Sequence, residues 1–177
     1  MIVFRHADPR FAFLWESDAQ PGARWHGDGE GPAQYFATTA DGAWAEFLRH
    51  EGIVDPADLA GVARSMWAIE LPRAPRAAPR LPTATLLGGL STYGACQDEA
   101  RRIRATGAIG LVAPSAAIDD ARSSGFRTDG GLVGGPTGRM EQVFVVFGMR
   151  PDLVGWAACA EGRPRTDLLP RLRPLTP

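Results

Sequence analysis

The apolar run Ile2–Arg5 predicts an opening strand, which Asp8-Pro9 ends. Phe11–Trp15 is apolar too, but too short to assign to helix or strand. Two prolines and four glycines between Gln20 and Pro32 make that stretch a loop. Ala33–Thr39 has the aromatic and β-branched character of a strand. Ala43, Trp44, Phe47 and Leu48 then fall at helical spacing, predicting an amphipathic helix capped by Asp41 and stopped by Gly52. Asp55-Pro56 opens a second short helix, and Val62–Leu71 reads as a strand.

In the second half, Leu71–Thr83 is rich in proline and arginine and cannot form a regular helix or central strand. It is expected to be a surface excursion within one domain. Ser91–Thr106 reads as a helix with Arg101, Arg102 and Arg104 on its exposed side. Ala108–Ala113 is a continuous apolar run, hence a buried strand, and it ends at Pro114-Ser115. Gly125–Arg139 is glycine-rich and expected to be a mobile loop. Gln142–Phe147 carries the strongest strand pattern, with Leu153–Ala160 as its expected pairing partner. The tail, 161–177, is expected to be loose. Strands and helices mix without a βαβ repeat, so the fold class is α+β, with residues 1–177 forming one domain.

Composition narrows the functions. Formal net charge is −1, which gives no electrostatic footprint for nucleic acid or an anionic membrane. All 19 basic residues are arginine, so a lysine nucleophile, a Schiff base and a phosphate-loop lysine are excluded. Cys96 and Cys159 match no metal or redox spacing and are expected to be free thiols. The N-terminus meets charge at Arg5, unlike a signal peptide, and no apolar run has membrane-spanning length. A cytoplasmic protein is expected.

The chain is organised around Gly22–Gly52, where Arg24, Tyr35 and Glu46 sit on a loop, a strand and a helix in succession. A guanidinium grips phosphate bidentately, an aromatic ring stacks on a planar group, and a carboxylate steadies developing positive charge. Each also has a plainer role: Arg24 packed on Trp25, Glu46 solvated or paired with His50 one turn on. Gly27–Gly31 (GDGEG) precedes a strand rather than a helix, so it offers no helix N-terminus to a pyrophosphate. His6, His26 and His50 lack ligand spacing, so no metal is expected. Ser115 has no nucleophile elbow around it.

The order of these residues is more specific than any one of them. Arg24-Trp25, Gly31-Pro32, Tyr35-Phe36-Ala37, Ala43, Ala45-Glu46 and Arg49-His50 together resemble the RES domain, a family named for its arginine, glutamate and serine. Val3-Phe4-Arg5 at the start, then Gly107, Gly110, Pro114-Ser115 and Val143–Phe147, extend the likeness over about residues 2–160. The resemblance implies an ADP-ribosyltransferase-like fold, with mixed β-sheets around a cleft and helices packed outside. It implies NAD as substrate without a metal, hydrolysis or phosphorolysis of the nicotinamide–ribose bond, and a toxin whose partner is a helix-turn-helix antitoxin. A homodimer is a further expected partner state, and the alternative functions are transfer of ADP-ribose to a protein or small acceptor and a catalytically degenerate domain that binds NAD or a partner. Position by position, Arg24, Glu46 and Ser115 take the catalytic roles, and Arg24 also holds the NAD pyrophosphate. Tyr35 becomes the aromatic beside the nicotinamide, and Arg5 becomes a further phosphate contact. The chain departs from the pattern at Gly22-Ala23, His26 and Ala117, and in the long Ser123–Arg139 loop.

Overall fold

A computed structural model describes residues 1–75, 77–118, 125–137 and 140–177, with the backbone alone at Phe126, Pro136 and Thr137. Among the described residues eight strands alternate irregularly with three α-helices: β1 (Ile2–Ala7), β2 (Ala33–Ala37), α1 (Ala40–Glu51), β3 (Arg64–Glu70), α2 (Thr83–Leu87), α3 (Tyr93–Ala105), β4 (Gly110–Pro114), β5 (Gly125–Asp129), β6 (Leu132–Thr137), β7 (Gln142–Phe147) and β8 (Val154–Gly162). Six of the strands form one sheet in the order β4-β7-β2-β1-β3-β8, every neighbouring pair antiparallel. The α+β class therefore holds. Side chains alternate across this sheet. One face packs on α1 around Trp44, Leu48 and Met66, and on α3 around Cys96, Ile103 and Leu111. The other face holds Val3, Phe36, Ile69 and Phe144.

The start of α1 is fixed by a long-range contact. Thr39, not Asp41, is the N-cap: its Oγ1 accepts from Gly42 N at 3.0 Å. The Thr38 and Thr39 hydroxyls and the Thr39 N–H all donate to the buried Glu141 carboxylate, at 2.6, 2.8 and 3.0 Å. A carboxylate there also complements the positive end of the helix. Gly42 is required by this contact, because a Cβ would collide with Glu141. Gly52 ends the helix at φ 66°, as expected.

Several expectations are corrected. β8 pairs with β3, while β7 lies between β2 and β4. The short helix at Asp55-Pro56 is a 3-10 turn over Pro56–Gly61. The stretch after Leu71 is not wholly a surface excursion: Leu71 is fully buried, and Ala77 bridges Leu111 on the edge of β4. Arg104 is not solvent-facing, since it donates to the Glu30 carbonyl at 2.8 Å and stacks on Phe147. The expected mobile loop, Gly125–Arg139, contains the β5–β6 hairpin; its residues Gly138 and Arg139, with Ser123 and Ser124 of the long loop, lie outside the described ones. The tail is packed rather than loose. Leu168 in a 3-10 turn (Thr166–Arg171) joins the α1 core, and Arg173 N–H donates to the Ala117 carbonyl at 2.8 Å.

Candidate active site

β1 and β2 share a single register pair, Phe4↔Ala37. Beyond it a cavity of about 790 Å³ is lined by Arg5–Asp8 on β1 and its extension and by Tyr35 on β2. Alternation puts Phe4, Tyr35 and Ala37 on the α1 face, and Arg5, Gln34 and Phe36 on the opposite face. The cavity is lined from both faces, so it lies along the split between the two strands.

On the α1 face, Glu46 points at the cavity and accepts from Ser115 Oγ at 2.7 Å. That hydroxyl in turn accepts from Ala117 N at 3.1 Å, which fixes its direction. The pairing of Glu46 with His50 gives way to this bond. Ser115 itself is buried, and its neighbours Pro114 and Ala116 line the cavity instead. The Pro-Ser corner and α1 thus meet at one carboxylate.

Tyr35 presents its ring to the cavity, while its hydroxyl is fully engaged. It accepts from Trp25 N at 3.0 Å and lies 2.9 Å from His26 Nδ1. His26 Nε2 lies 3.0 Å from the Pro21 carbonyl, which can only accept, so Nε2 carries the proton and Nδ1 accepts from Tyr35. Burial pushes the Tyr35 phenol up and the His26 imidazole down, so both stay neutral near pH 7.

Arg24 is buried, and its terminal nitrogens are already taken. Nη1 donates to the Thr85 and Leu86 carbonyls and Thr92 Oγ1 at 3.2–3.3 Å, and Nη2 donates to the Gly88 carbonyl at 2.5 Å. Its guanidinium carbon sits 4.8 Å from the Tyr93 ring centre. Arg49, also buried, donates Nη2 to the same Gly88 carbonyl at 2.7 Å, and its Nε has no partner. Gly88 has to be glycine here, because a Cβ would strike Thr92. Among the described residues Arg5 makes one side-chain hydrogen bond, to the Gln34 amide oxygen at 2.6 Å, its guanidinium carbon lies 6.0 Å from the Phe36 ring centre, and burial lowers its pKa to about 10. His6 is held down to about 3 by burial, then by Arg64, Arg5 and His50.

Arg5, Arg24, Tyr35 and Glu46 therefore line one cavity, and Ser115 stands behind Glu46. Sequence reasoning missed Arg49, Tyr93, Arg64 and Gln34. Two signals were present: Arg49 lies three residues after Glu46 on one helix face, and Gln34 is a polar residue inside an apolar strand. Among the described residues no group of three His, Cys, Asp or Glu could hold a metal, and no helix is long and apolar enough to cross a membrane.

Fold and cavity define an antiparallel α+β protein with an arginine-, tyrosine- and glutamate-lined cleft backed by a serine. The chain belongs to the RES domain family, whose model matches residues 2–125. Its fold is similar to a chain in the crystal structure of the M. tuberculosis MbcT–MbcA toxin–antitoxin complex. The TM-score is 0.58 at 15% identity, covering 96% of this chain and 86% of that one. A search of curated proteins gives no match.

Proposed function

We propose that this RES-domain protein consumes NAD by cleaving its nicotinamide–ribose bond, with water or phosphate as acceptor, and that it is the toxin of a toxin–antitoxin pair. The observation that carries the reading is Glu46, held by Ser115 in a cavity shared with Arg5, Arg24 and Arg49. None of these three arginines has an ion-pair partner among the described residues. Unpaired guanidiniums in a sheltered site favour an anion, and a fixed carboxylate favours a developing cation. A pyridinium dinucleotide that passes through a ribosyl cation offers both. The structural neighbour's place in a toxin–antitoxin complex supports the partner class.

In this reading the C1′–N bond breaks heterolytically, and its electron pair returns to the pyridinium ring, which leaves as neutral nicotinamide. Glu46 stabilises the oxocarbenium-like ribose, as carboxylates do in glycoside cleavage. Water or phosphate then forms a bond to C1′ and gives up a proton. Tyr35 stacks on the nicotinamide, its ring held by His26 and the Trp25 N–H. Arg5 takes the pyrophosphate. Arg24, with its donors on the Thr85–Gly88 backbone, holds that segment and adds positive field. Ser115 acts through Glu46 and is a positioning residue.

Incubation with NAD, with and without phosphate, followed by mass spectrometry, tests this. Free nicotinamide with ADP-ribose or its phosphate is expected. ADP-ribose on a protein without bulk NAD loss would make the enzyme a transferase, and bound NAD with no product would make it a binding domain. Equal nicotinamide release by Glu46→Ala would remove Glu46 as the catalyst.

A further inference from the structure

The proposed chemistry leaves half of the cavity without a task. On the face opposite Glu46 the wall is the segment from Asp8 to Gln20, which pattern alone could not assign. Phe13 and Leu14 anchor it to the core around Val3, Phe36 and Ile69, with the Phe13 ring 5.3 Å from Trp67. Phe11 and Trp15 are left out of that core. They are 65% and 44% exposed, and both line the cavity.

A single buried amide sets this wall against the nearest guanidinium. Gln34, fully buried, donates Nε2 to the Trp15 carbonyl, and its Oε1 accepts from Trp15 N at 3.1 Å and from Arg5 Nη1 at 2.6 Å. Exposed rings beside a guanidinium that meets only a neutral amide and the Phe36 ring among the described residues match a nucleoside diphosphate. The base stacks on an aromatic surface and the diphosphate meets the charge. Glu46 lines the same cavity from the other face, so a dinucleotide can meet the carboxylate with one half and this wall with the other.

We propose that the Phe11–Trp15 wall is the seat of a nucleoside diphosphate, the half of the dinucleotide that does not react. It makes the enzyme prefer a dinucleotide to a mononucleotide, with Gln34 as the positioning residue that keeps Arg5 and Trp15 in register. The inference rests on the NAD reading for the identity of the whole substrate, but not for the seat.

Calorimetry with ADP and with inorganic pyrophosphate, on the full chain, tests the seat without turnover. Wild type is expected to bind ADP. Trp15→Ala and Phe11→Ala, at exposed positions that keep the fold, should each weaken ADP about tenfold, the size of one base–aromatic stack, and pyrophosphate less than twofold. No ADP binding by wild type, or unchanged ADP affinity in both variants, overturns the proposal. In turnover, the ratio of kcat/KM for NAD to that for nicotinamide mononucleotide should fall about tenfold in Trp15→Ala and in Gln34→Leu. An unchanged ratio in Trp15→Ala also overturns it. Trp15-dependent ADP binding by a protein that releases no nicotinamide would support the seat and discard the NAD-cleaving reading.

Discussion

On the α1 side of the cavity each chemical group already has fixed protein partners. Glu46 has Ser115, the Tyr35 hydroxyl has His26 and Trp25, and Arg24 has three carbonyls and Thr92. On the side of the Asp8–Gln20 segment, Arg5 meets only a neutral amide and the Phe36 ring among the described residues, and Phe11 and Trp15 stand exposed. The first arrangement suits chemistry, where groups must be placed before the charge develops. The second suits binding, where groups gain their partners from the ligand. Arg5 and Arg24 thus share a cavity and a charge but differ in duty, a distinction that residue type alone does not carry.

Glu46→Gln keeps an oxygen for Ser115 but removes the charge, and should lower kcat for nicotinamide release by about two orders of magnitude or more. A smaller loss would mean that the α1 side is not the reacting side. Arg24→Met takes a charged donor from the Thr85, Leu86 and Gly88 carbonyls, although Thr85 keeps the Gly88 N–H and Gly88 keeps Arg49, and should cost about 3 kcal/mol of stability. Arg5→Met should cost about 1 kcal/mol or less while raising KM for NAD, so equal destabilisation in urea melts would erase the contrast between the two arginines.

A subtler effect comes from His6, whose pKa falls from 6.5 to about 3 on folding. Between those values the unfolded chain takes up a proton that the folded chain refuses. Its contribution to stability is therefore full above pH 6.5 and drains as pH falls, by up to about 1.4 kcal/mol per pH unit. Melting curves from pH 7 to 4 should steepen accordingly, and His6→Gln should flatten that limb. The smallest effect is expected of Ser115→Ala, about a tenfold drop in kcat with little change in KM, because one hydrogen bond to Glu46 is lost. A rise in KM instead would put Ser115 on the substrate.

Much of the site was legible because its residues lie on short-range elements. The Glu46 helix announces itself by Ala43, Trp44, Phe47 and Leu48, and Tyr35 by its strand. What the pattern could not carry is long-range. Leu153–Ala160 reads as a strand, but nothing local says that its partner is β3 rather than β7. Asp41 is a good capping residue, yet Thr39 wins because Glu141, about a hundred residues away, organises both threonines. Arg49 lies one turn from Glu46 and looks like an ordinary solvated helix arginine until Gly88 and Arg24 close over it. The tail's proline and arginine content hid Leu168, whose burial depends on a core assembled by the rest of the chain.

The cavity either turns over its ligand or only holds it. Proton NMR of NAD mixed with purified protein, with phosphate supplied, follows the nicotinamide ring signals directly. Conversion to free nicotinamide by wild type, with at most about one hundredth of that rate for Glu46→Gln, is the result predicted. Intact coenzyme in both samples, or equal rates in the two, would contradict it.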